Sequence, residues 1–231
     1  MTTPRHASSS PPRKRQTGRA PTYLVCAAAL GLAGCAALFA PRPVAWDYFL
    51  LTSLPAPDAS VAPAAPELVV GLGPITLPSY LDRIQIVRRE ATNQLSFNDR
   101  ERWGQPLEDG FARVLADDLV TLLGSKTVFR PPWRARDTLD AIVEIDVTRF
   151  EVVTASRRAE LRARWRIRDA RTKKFVADGA AELDRPLADE STTAGVAAMS
   201  ETIGDLAREL ATALARQHAA AAPAGGGGPA T

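Results

Sequence analysis

Three consecutive segments in the second half of the chain alternate apolar and charged residues with a period of two. They span Asp140–Val153, Glu160–Asp169 and Phe175–Leu183. Successive side chains of a β-strand point to opposite faces of a sheet, so each segment predicts a strand with one apolar and one charged face. The connections between them are short. The three segments therefore predict an antiparallel meander whose apolar face must be covered by other elements.

The apolar face of this meander combines a large ring with a glycine. On the third strand the residues placed on the apolar side are Phe175, Ala177, Ala181 and Leu183. Gly179 falls on that side as well, where it leaves room for the ring of Trp165 from the middle strand. We therefore expect the two residues to be neighbours across the sheet.

Two other segments have apolar residues at helical spacing. The first follows Pro106, which suits the first turn of a helix, and stops at Gly124, a typical residue after a helix end. Its apolar stripe consists of Leu107, Phe111, Val114, Leu115, Leu119 and Leu122. The second segment is Thr192–Gln217, with a stripe of Met199, Ile203, Leu206, Leu210 and Leu214. Each segment predicts an amphipathic helix.

Shorter apolar runs predict the remaining strands. These are Trp46–Thr52 (predicted buried), Leu68–Leu77, Ile84–Arg88, Asn93–Trp103 and Lys126–Phe129. The second run contains Gly-Leu-Gly-Pro, which predicts a bulged or edge strand rather than a phosphate loop, because no helix follows it. The predicted fold class is α+β: a two-layer sandwich with a mixed or antiparallel sheet and two amphipathic helices packed on one face.

The N-terminus has the parts of a bacterial lipoprotein signal. A basic n-region comes first, followed by the apolar run Tyr23–Leu32 and the lipobox Leu32-Ala33-Gly34-Cys35. The basic residues are Arg13, Lys14, Arg15 and Arg19. Cys35 is the predicted lipid attachment residue, modified by acyl chains such as palmitate. The competing interpretation is an uncleaved transmembrane anchor over Thr22–Ala40, which is about as long as the ~20 residues that span a bilayer.

This signal organises the rest of the chain into four parts. Residues 1–34 form the predicted signal peptide, and residues 35–45, which contain Pro41 and Pro43, form a tether. Residues 46–217 form the folded domain. The Ala-, Gly- and Pro-rich residues 218–231 are predicted to be a disordered tail.

Composition argues against several functions. The chain carries a net charge of +3, but residues 1–34 hold five basic and no acidic residues, so the mature chain has 24 basic against 26 acidic residues. Such a chain is not expected to bind nucleic acid. The only histidines are His6 and His218, outside the predicted domain, so we expect no enzyme activity, no metal site and no cofactor. Asp117 and Asp118 diverge by about 100° on a helix and are predicted to form a solvated edge.

Basic residues are concentrated on one strand. Residues 157–174 hold nine basic and two acidic residues. The four that alternate on the middle strand are Arg162, Arg164, Arg166 and Arg168. They predict a cross-strand ladder with Glu144 and Asp146 on one side and Asp178 on the other, each pair worth about 0.2–1 kcal/mol. Since the arginines outnumber those acids, an anionic contact, with lipid phosphate or an acidic protein, stays open as the alternative.

Four stretches resemble the ABC-type transport auxiliary lipoproteins, the paraquat-inducible protein C family. They are Asp47–Leu51, Val70–Arg83 followed by Ile86-Val87-Arg88, Arg102–Leu107 and Val143–Phe150. The most specific is the second, in which Gly73-Pro74, two residues, and Leu77-Pro78-Ser79-Tyr80-Leu81-Asp82 are similar to the family signature. The resemblance covers roughly residues 46–217.

The resemblance implies an auxiliary lipoprotein of an MCE-type lipid transport system that maintains the envelope. Its partners would be an MCE-domain protein and inner-membrane permease components, and a homo-oligomer is left open. Ala36, rather than Asp, follows the cysteine, which favours the periplasmic face of the outer membrane and leaves the inner membrane as the alternative. The predicted partner contact comprises Leu77, Pro78, Tyr80, Leu81 and Arg83. The rival functions are an inner-membrane-tethered assembly factor and a lipid-carrying module.

Overall fold

A mixed eight-stranded sheet with two helices on one face is formed by the residues that the computed structural model describes, 45–55, 64–124, 128–133 and 138–221. The strands are β1 Asp47–Phe49, β2 Val70–Thr76, β3 Gln85–Ala91, β4 Gln94–Trp103, β5 Val128–Phe129, β6 Ala141–Val153, β7 Arg158–Asp169 and β8 Phe175–Pro186. The helices are α1 Leu107–Leu123 and α2 Thr192–Ala221. The predicted α+β class is confirmed.

Strand β6 is the centre of the sheet. On one edge it pairs antiparallel with β7, which pairs in turn with β8. Its other edge is shared by two strands lying end to end, since β2 pairs parallel with the first half of β6 and β3 with its last residues. Beyond these, β5 extends the sheet from β2, while β4 pairs with β3 and β1 pairs with β4. The connection between β2 and β3 therefore lies where the two strands meet beside β6.

The register of the meander agrees with the predicted faces at most positions. Trp165 is opposite Gly179, and a Cβ atom at Gly179 would overlap the Trp165 ring. Phe175 is the exception, because the pairing shifts between Ile167 and Arg168 and sets Phe175 opposite Arg168. Phe175 is 53% exposed on the charged face, so its predicted place on the apolar side is wrong.

Both predicted helices are present and lie side by side on the apolar face. Helix α1 begins at Leu107, directly after Pro106, and ends at Leu123; the next residue, Gly124, adopts a left-handed conformation with φ of 64°. The ring of Phe111 meets Phe150 of β6 edge to face, with 5.2 Å between centroids. Such a pair adds about 0.5–1.5 kcal/mol to the burial of the two rings. The stripe of α2 is buried against β6, β7 and β8.

The first strand differs from its prediction. Only Asp47–Phe49 pairs, in parallel with β4 at the edge of the sheet, and Trp46, Tyr48 and Leu50 are 45%, 62% and 51% exposed. Leu51 alone is deeply buried. Trp46–Thr52 is therefore not a buried strand, because an edge strand with no cover on one face exposes alternate side chains.

The last helix is longer than predicted. It continues to Ala221, four residues into the stretch predicted to be disordered, and residues 222–231 lie outside the described part. The signal peptide, Cys35, the tether up to residue 44 and the alternative anchor Thr22–Ala40 lie outside it as well. Within the described ranges, no helix is long and apolar enough to cross a membrane.

Candidate functional site

The face of the sheet opposite α1 and α2, called the outer face below, carries most of the sequence-predicted site residues. A bulge at Thr148 determines which residues of β6 reach it, because the pairing with β7 shifts between Val147 and Arg149. Before the bulge the odd-numbered residues face the helices. After it Phe150 and Val152 do so, and Glu151 is left on the outer face.

Glu151 is a fully buried carboxylate held by three side chains. The Tyr80 hydroxyl donates to Oε2 at 2.5 Å, and Arg89 Nε donates to Oε1 at 2.5 Å. Arg149 approaches Oε1 at 3.8 Å and also binds Glu160 at 2.7 Å. Burial, followed by the hydrogen bond to Glu151, raises the pKa of Tyr80 to about 12. This network fixes the β2–β3 connection to the outer face, because Tyr80 comes from that connection.

The five residues of the predicted partner contact have different environments. Leu81 is 3% exposed and belongs to the core, so its side chain is not available to a partner. Tyr80 is engaged with Glu151, and Leu77 and Pro78 are half-buried. Arg83 is exposed, with its guanidinium 4.2 Å from the centroid of the Phe97 ring.

The four arginines of β7 divide into two pairs. Arg166 and Arg168 bind Glu144 at 3.1 and 2.9 Å, as the ladder interpretation predicts. Arg162 and Arg164 are exposed and make no ion pair within the part of the chain that the structure describes, although Asp146 is opposite Arg164. The side chain of Asp146 accepts a hydrogen bond from Thr76 at 2.7 Å. Of the four arginines, Arg162 and Arg164 are therefore the two that the ladder leaves available for the alternative, an anionic contact.

The prediction of a solvated edge on α1 is wrong for Asp118. Asp117 is exposed, but Asp118 is fully buried, and its Oδ1 accepts a hydrogen bond from the Leu54 backbone N–H at 2.7 Å. Its Oδ2 has no hydrogen-bond partner among the described residues, and burial raises the pKa of Asp118 to about 6 from an ordinary value of 3.8. Nothing in the local pattern of α1 signals this burial, because the cover comes from a segment 64 residues away.

The segment that covers Asp118 follows β1 and crosses both helices. The Leu51 carbonyl accepts from Arg113 at 2.6 Å, and the Thr52 N–H donates to Ser200 Oγ at 3.1 Å. The side chain of Leu54 lies where a Cβ atom on Gly204 would be. The first described residues are thus attached to α1 and α2 by backbone hydrogen bonds as well as by apolar contact.

Two open clefts lie toward one end of the sheet. The larger, of about 1200 Å³, is lined partly by apolar residues such as Trp133, Leu139 and Leu214 and partly by polar and charged ones such as Asp169 and Arg171. The second, of about 1030 Å³, lies between β2, β5 and the start of α1. No group of three or more His, Cys, Asp or Glu residues in the described ranges is arranged to hold a metal ion.

The fold and the outer face define the class of protein: a single-sheet α+β module whose helices cover one face of the sheet and leave the other to solvent. Solved structures show the same fold. One, from Xanthomonas campestris, has a TM-score of 0.61 and 18% identity, covering 75% of this chain and 99% of its own. Another, of an uncharacterized protein, has a TM-score of 0.52 and 15% identity over the same shares.

The family follows from the sequence comparison. The family model described as ABC-type transport auxiliary lipoprotein component matches residues 49–211. The chain therefore belongs to this family, as its resemblance predicted. A putative lipoprotein of Caulobacter crescentus CB15 is 20% identical, with 49% of this chain and 87% of that chain covered and a TM-score of 0.35. No curated protein matches the chain.

Proposed function

We propose that this chain is a lipid-anchored docking subunit of an MCE-type, ABC-associated lipid transport system, and that it contributes to envelope integrity without catalysing a reaction. Its family membership supports a role beside an ABC-type transporter. Arg162 and Arg164 carry the docking part of the proposal, because two exposed, unpaired guanidinium groups on a solvent-facing sheet suit an acidic partner surface.

The anchor would confine this docking to a membrane surface. Acylation of Cys35 with two or three chains makes attachment effectively permanent, at about 0.8 kcal/mol for each buried CH₂ group. A protein confined in this way needs only a weak contact with its partner, because the tether raises the effective concentration. We place the module on the periplasmic face of the outer membrane, where it would bind the end of an MCE assembly that lies farthest from the inner membrane.

The docking proposal is tested by reversing charge on β7. The Arg162→Glu, Arg164→Glu double variant is compared with Lys173→Glu, Lys174→Glu, which makes the same change of charge at the tip of the β7–β8 hairpin. From detergent-solubilised envelopes of the native host, the first variant is expected to lose the MCE-domain protein and the second to retain it. Equal recovery of the MCE-domain protein with both variants would refute the docking role of the arginine pair.

The anchor is tested separately. Radiolabelled palmitate is expected to enter the wild type and to be absent from Cys35→Ala. A protein that begins upstream of Cys35 and carries no acyl mass would instead favour the alternative of an uncleaved inner-membrane tether. Separation of inner and outer membranes by density then identifies the membrane that holds the protein.

A lipid-carrying module is the second candidate, favoured by the cleft beside Trp133. Its volume of about 1200 Å³ and the apolar part of its lining would accommodate acyl chains. Native mass spectrometry of the protein released gently from membranes tests this function. Stoichiometric phospholipid that is lost in Leu139→Arg would support it, whereas lipid-free protein would leave docking as the function.

A further inference from the structure

Exposed apolar side chains are concentrated at one corner of the sheet. Seven large apolar residues are exposed in the part of the chain that the structure describes. Five of them belong to β1 and its flanks, to the approach to β3, or to β4: Trp46, Tyr48, Leu50, Ile84 and Phe97, each 45–62% exposed. The other two, Phe175 and Val176, begin β8 at the opposite edge.

Three of these residues share the outer face, and we call Trp46, Tyr48 and Phe97 the aromatic corner. Ile86 faces the helices, so the next residue, Val87, faces the other way. Phe97 is directly opposite Val87 and therefore also lies on the outer face. Gln85 lies two positions before Val87 and shares its face. It pairs with Arg102, and Arg102 pairs on its other side with Tyr48, so Tyr48 lies on the outer face too. Trp46 precedes Tyr48 by two positions and therefore points the same way.

Guanidinium groups cover two of these rings. Arg102 lies 4.5 Å from the centroid of Trp46, and Arg83 lies 4.2 Å from that of Phe97. Each pair combines an apolar body with a cation that can reach a phosphate, a composition that suits the headgroup layer of a bilayer. The surrounding strands also carry acids, among them Asp47 and Asp99, so the surface has no large net charge. Aromatic insertion, rather than bulk electrostatics, would provide the contact.

The position of the aromatic corner in the sequence, close to the predicted lipid attachment residue, indicates that the surface it contacts is the bilayer. Ten residues separate Cys35 from Trp46. Ten fully extended residues of this kind reach at most roughly 31 Å, at about 3.1 Å per residue. Trp46 is therefore the first large apolar residue of the folded domain that a membrane-attached Cys35 presents to the bilayer.

We propose that the aromatic corner, together with Arg83 and Arg102, contacts the headgroup layer of the leaflet that holds acylated Cys35. This inference rests on the proposed lipid anchor. The sheet would then stand with its β1–β4 edge toward the bilayer. Five strand spacings of about 4.8 Å place β8 roughly 24 Å farther across the sheet. The arginine pair of β7 would lie toward the far side, accessible to a soluble partner.

Fluorescence quenching in proteoliposomes tests the contact with the full acylated protein. The vesicles contain phosphatidylethanolamine and phosphatidylglycerol, with a lipid spin-labelled near its headgroup. The contribution of Trp46 is the difference between wild type and Trp46→Phe. In the Trp46→Phe background, Phe97→Trp probes the corner a second time, and Phe175→Trp is the matched control, since Phe175 is equally exposed and has Arg166 4.6 Å from its ring centroid.

We expect the spin label to reduce the emission of Trp46 and of Phe97→Trp, and to leave that of Phe175→Trp unchanged. Equal quenching at all three positions, or quenching at none, would overturn the proposal. Protection of Trp46 from acrylamide without quenching by lipid would overturn it too, because a second copy or another protein would then cover the corner. Mass spectrometry of the same samples separates the two proposals: an acylated but unquenched protein refutes the membrane contact alone, and an unacylated one refutes the anchor.

Discussion

Removing the charge of Asp118 should change how stability depends on pH. This carboxylate is fully buried; one oxygen accepts a hydrogen bond from the Leu54 N–H, and the other has no partner within the described part of the chain. Its pKa rises from 3.8 to about 6, a difference of about 2.2. At 1.36 kcal/mol per pKa unit, ionisation of Asp118 opposes folding by about 3 kcal/mol.

The sign follows from proton binding. Between about pH 4 and pH 6 the folded state holds a proton on Asp118 that the unfolded state has lost, so stability falls as the pH rises through this window. Asp118→Asn keeps an oxygen acceptor for Leu54 and cannot ionise. The free energy of unfolding of the variant minus that of the wild type should therefore be about 2.5 kcal/mol larger near pH 7 than near pH 4, because part of the unfolded chain is still protonated at pH 4.

Urea unfolding of the detergent-purified protein, followed by far-ultraviolet circular dichroism, measures this difference. Asp117→Asn is the matched control, because it removes the adjacent charge from an exposed side chain that binds Arg113 at 3.5 Å. An exposed pair of this kind is worth about 0.3–0.5 kcal/mol, so the control should change little with pH. A variant-minus-wild-type difference for Asp118→Asn that is constant from about pH 4 to pH 7 would refute the reasoning.

Two further predictions concern packing and the outer face, and the same urea unfolding measures both. Gly179→Ala places a methyl group against the Trp165 ring and should destabilise the fold by about 1–3 kcal/mol. The control, Ala180→Ser, lies on the opposite face and should be nearly neutral. Equal stability of the two variants would contradict this packing. Tyr80→Phe removes a donor from buried Glu151 and should cost about 1–3 kcal/mol, whereas Tyr48→Phe, at an exposed position, should cost little. Equal costs would show that the Glu151 network does not hold the β2–β3 connection.

Periodicity alone was enough to predict the meander and both helices. The alternation of β6 and β7 places Glu144 opposite Arg166, and the structure has this pair at 3.1 Å. The small residue at Gly179 likewise identified its large neighbour Trp165. These predictions succeed because the side-chain period of a strand or helix is a local property, and a buried face requires the matching register.

The candidate site depended on long-range contacts. The bulge at Thr148 interrupts the alternation of β6 and leaves Glu151 buried on the outer face, where Tyr80 from a distant connection covers it. The sequence of α1 predicts a surface position for Asp118, but the segment containing Leu54 packs over it and buries it. No short-range pattern contains this information.

The sequence by itself therefore determined the long strands of the meander, both helices, the apolar face of each helix and the family. Only the tertiary structure decided that β2 and β3 share one edge of β6, that Phe175 joins the charged face, and that Trp46, Tyr48 and Phe97 lie on the same face at one corner of the sheet. The physical reason is that periodicity acts between neighbours in the chain. Strand order, bulges and the burial of single polar groups arise from pairing and packing between residues far apart in sequence.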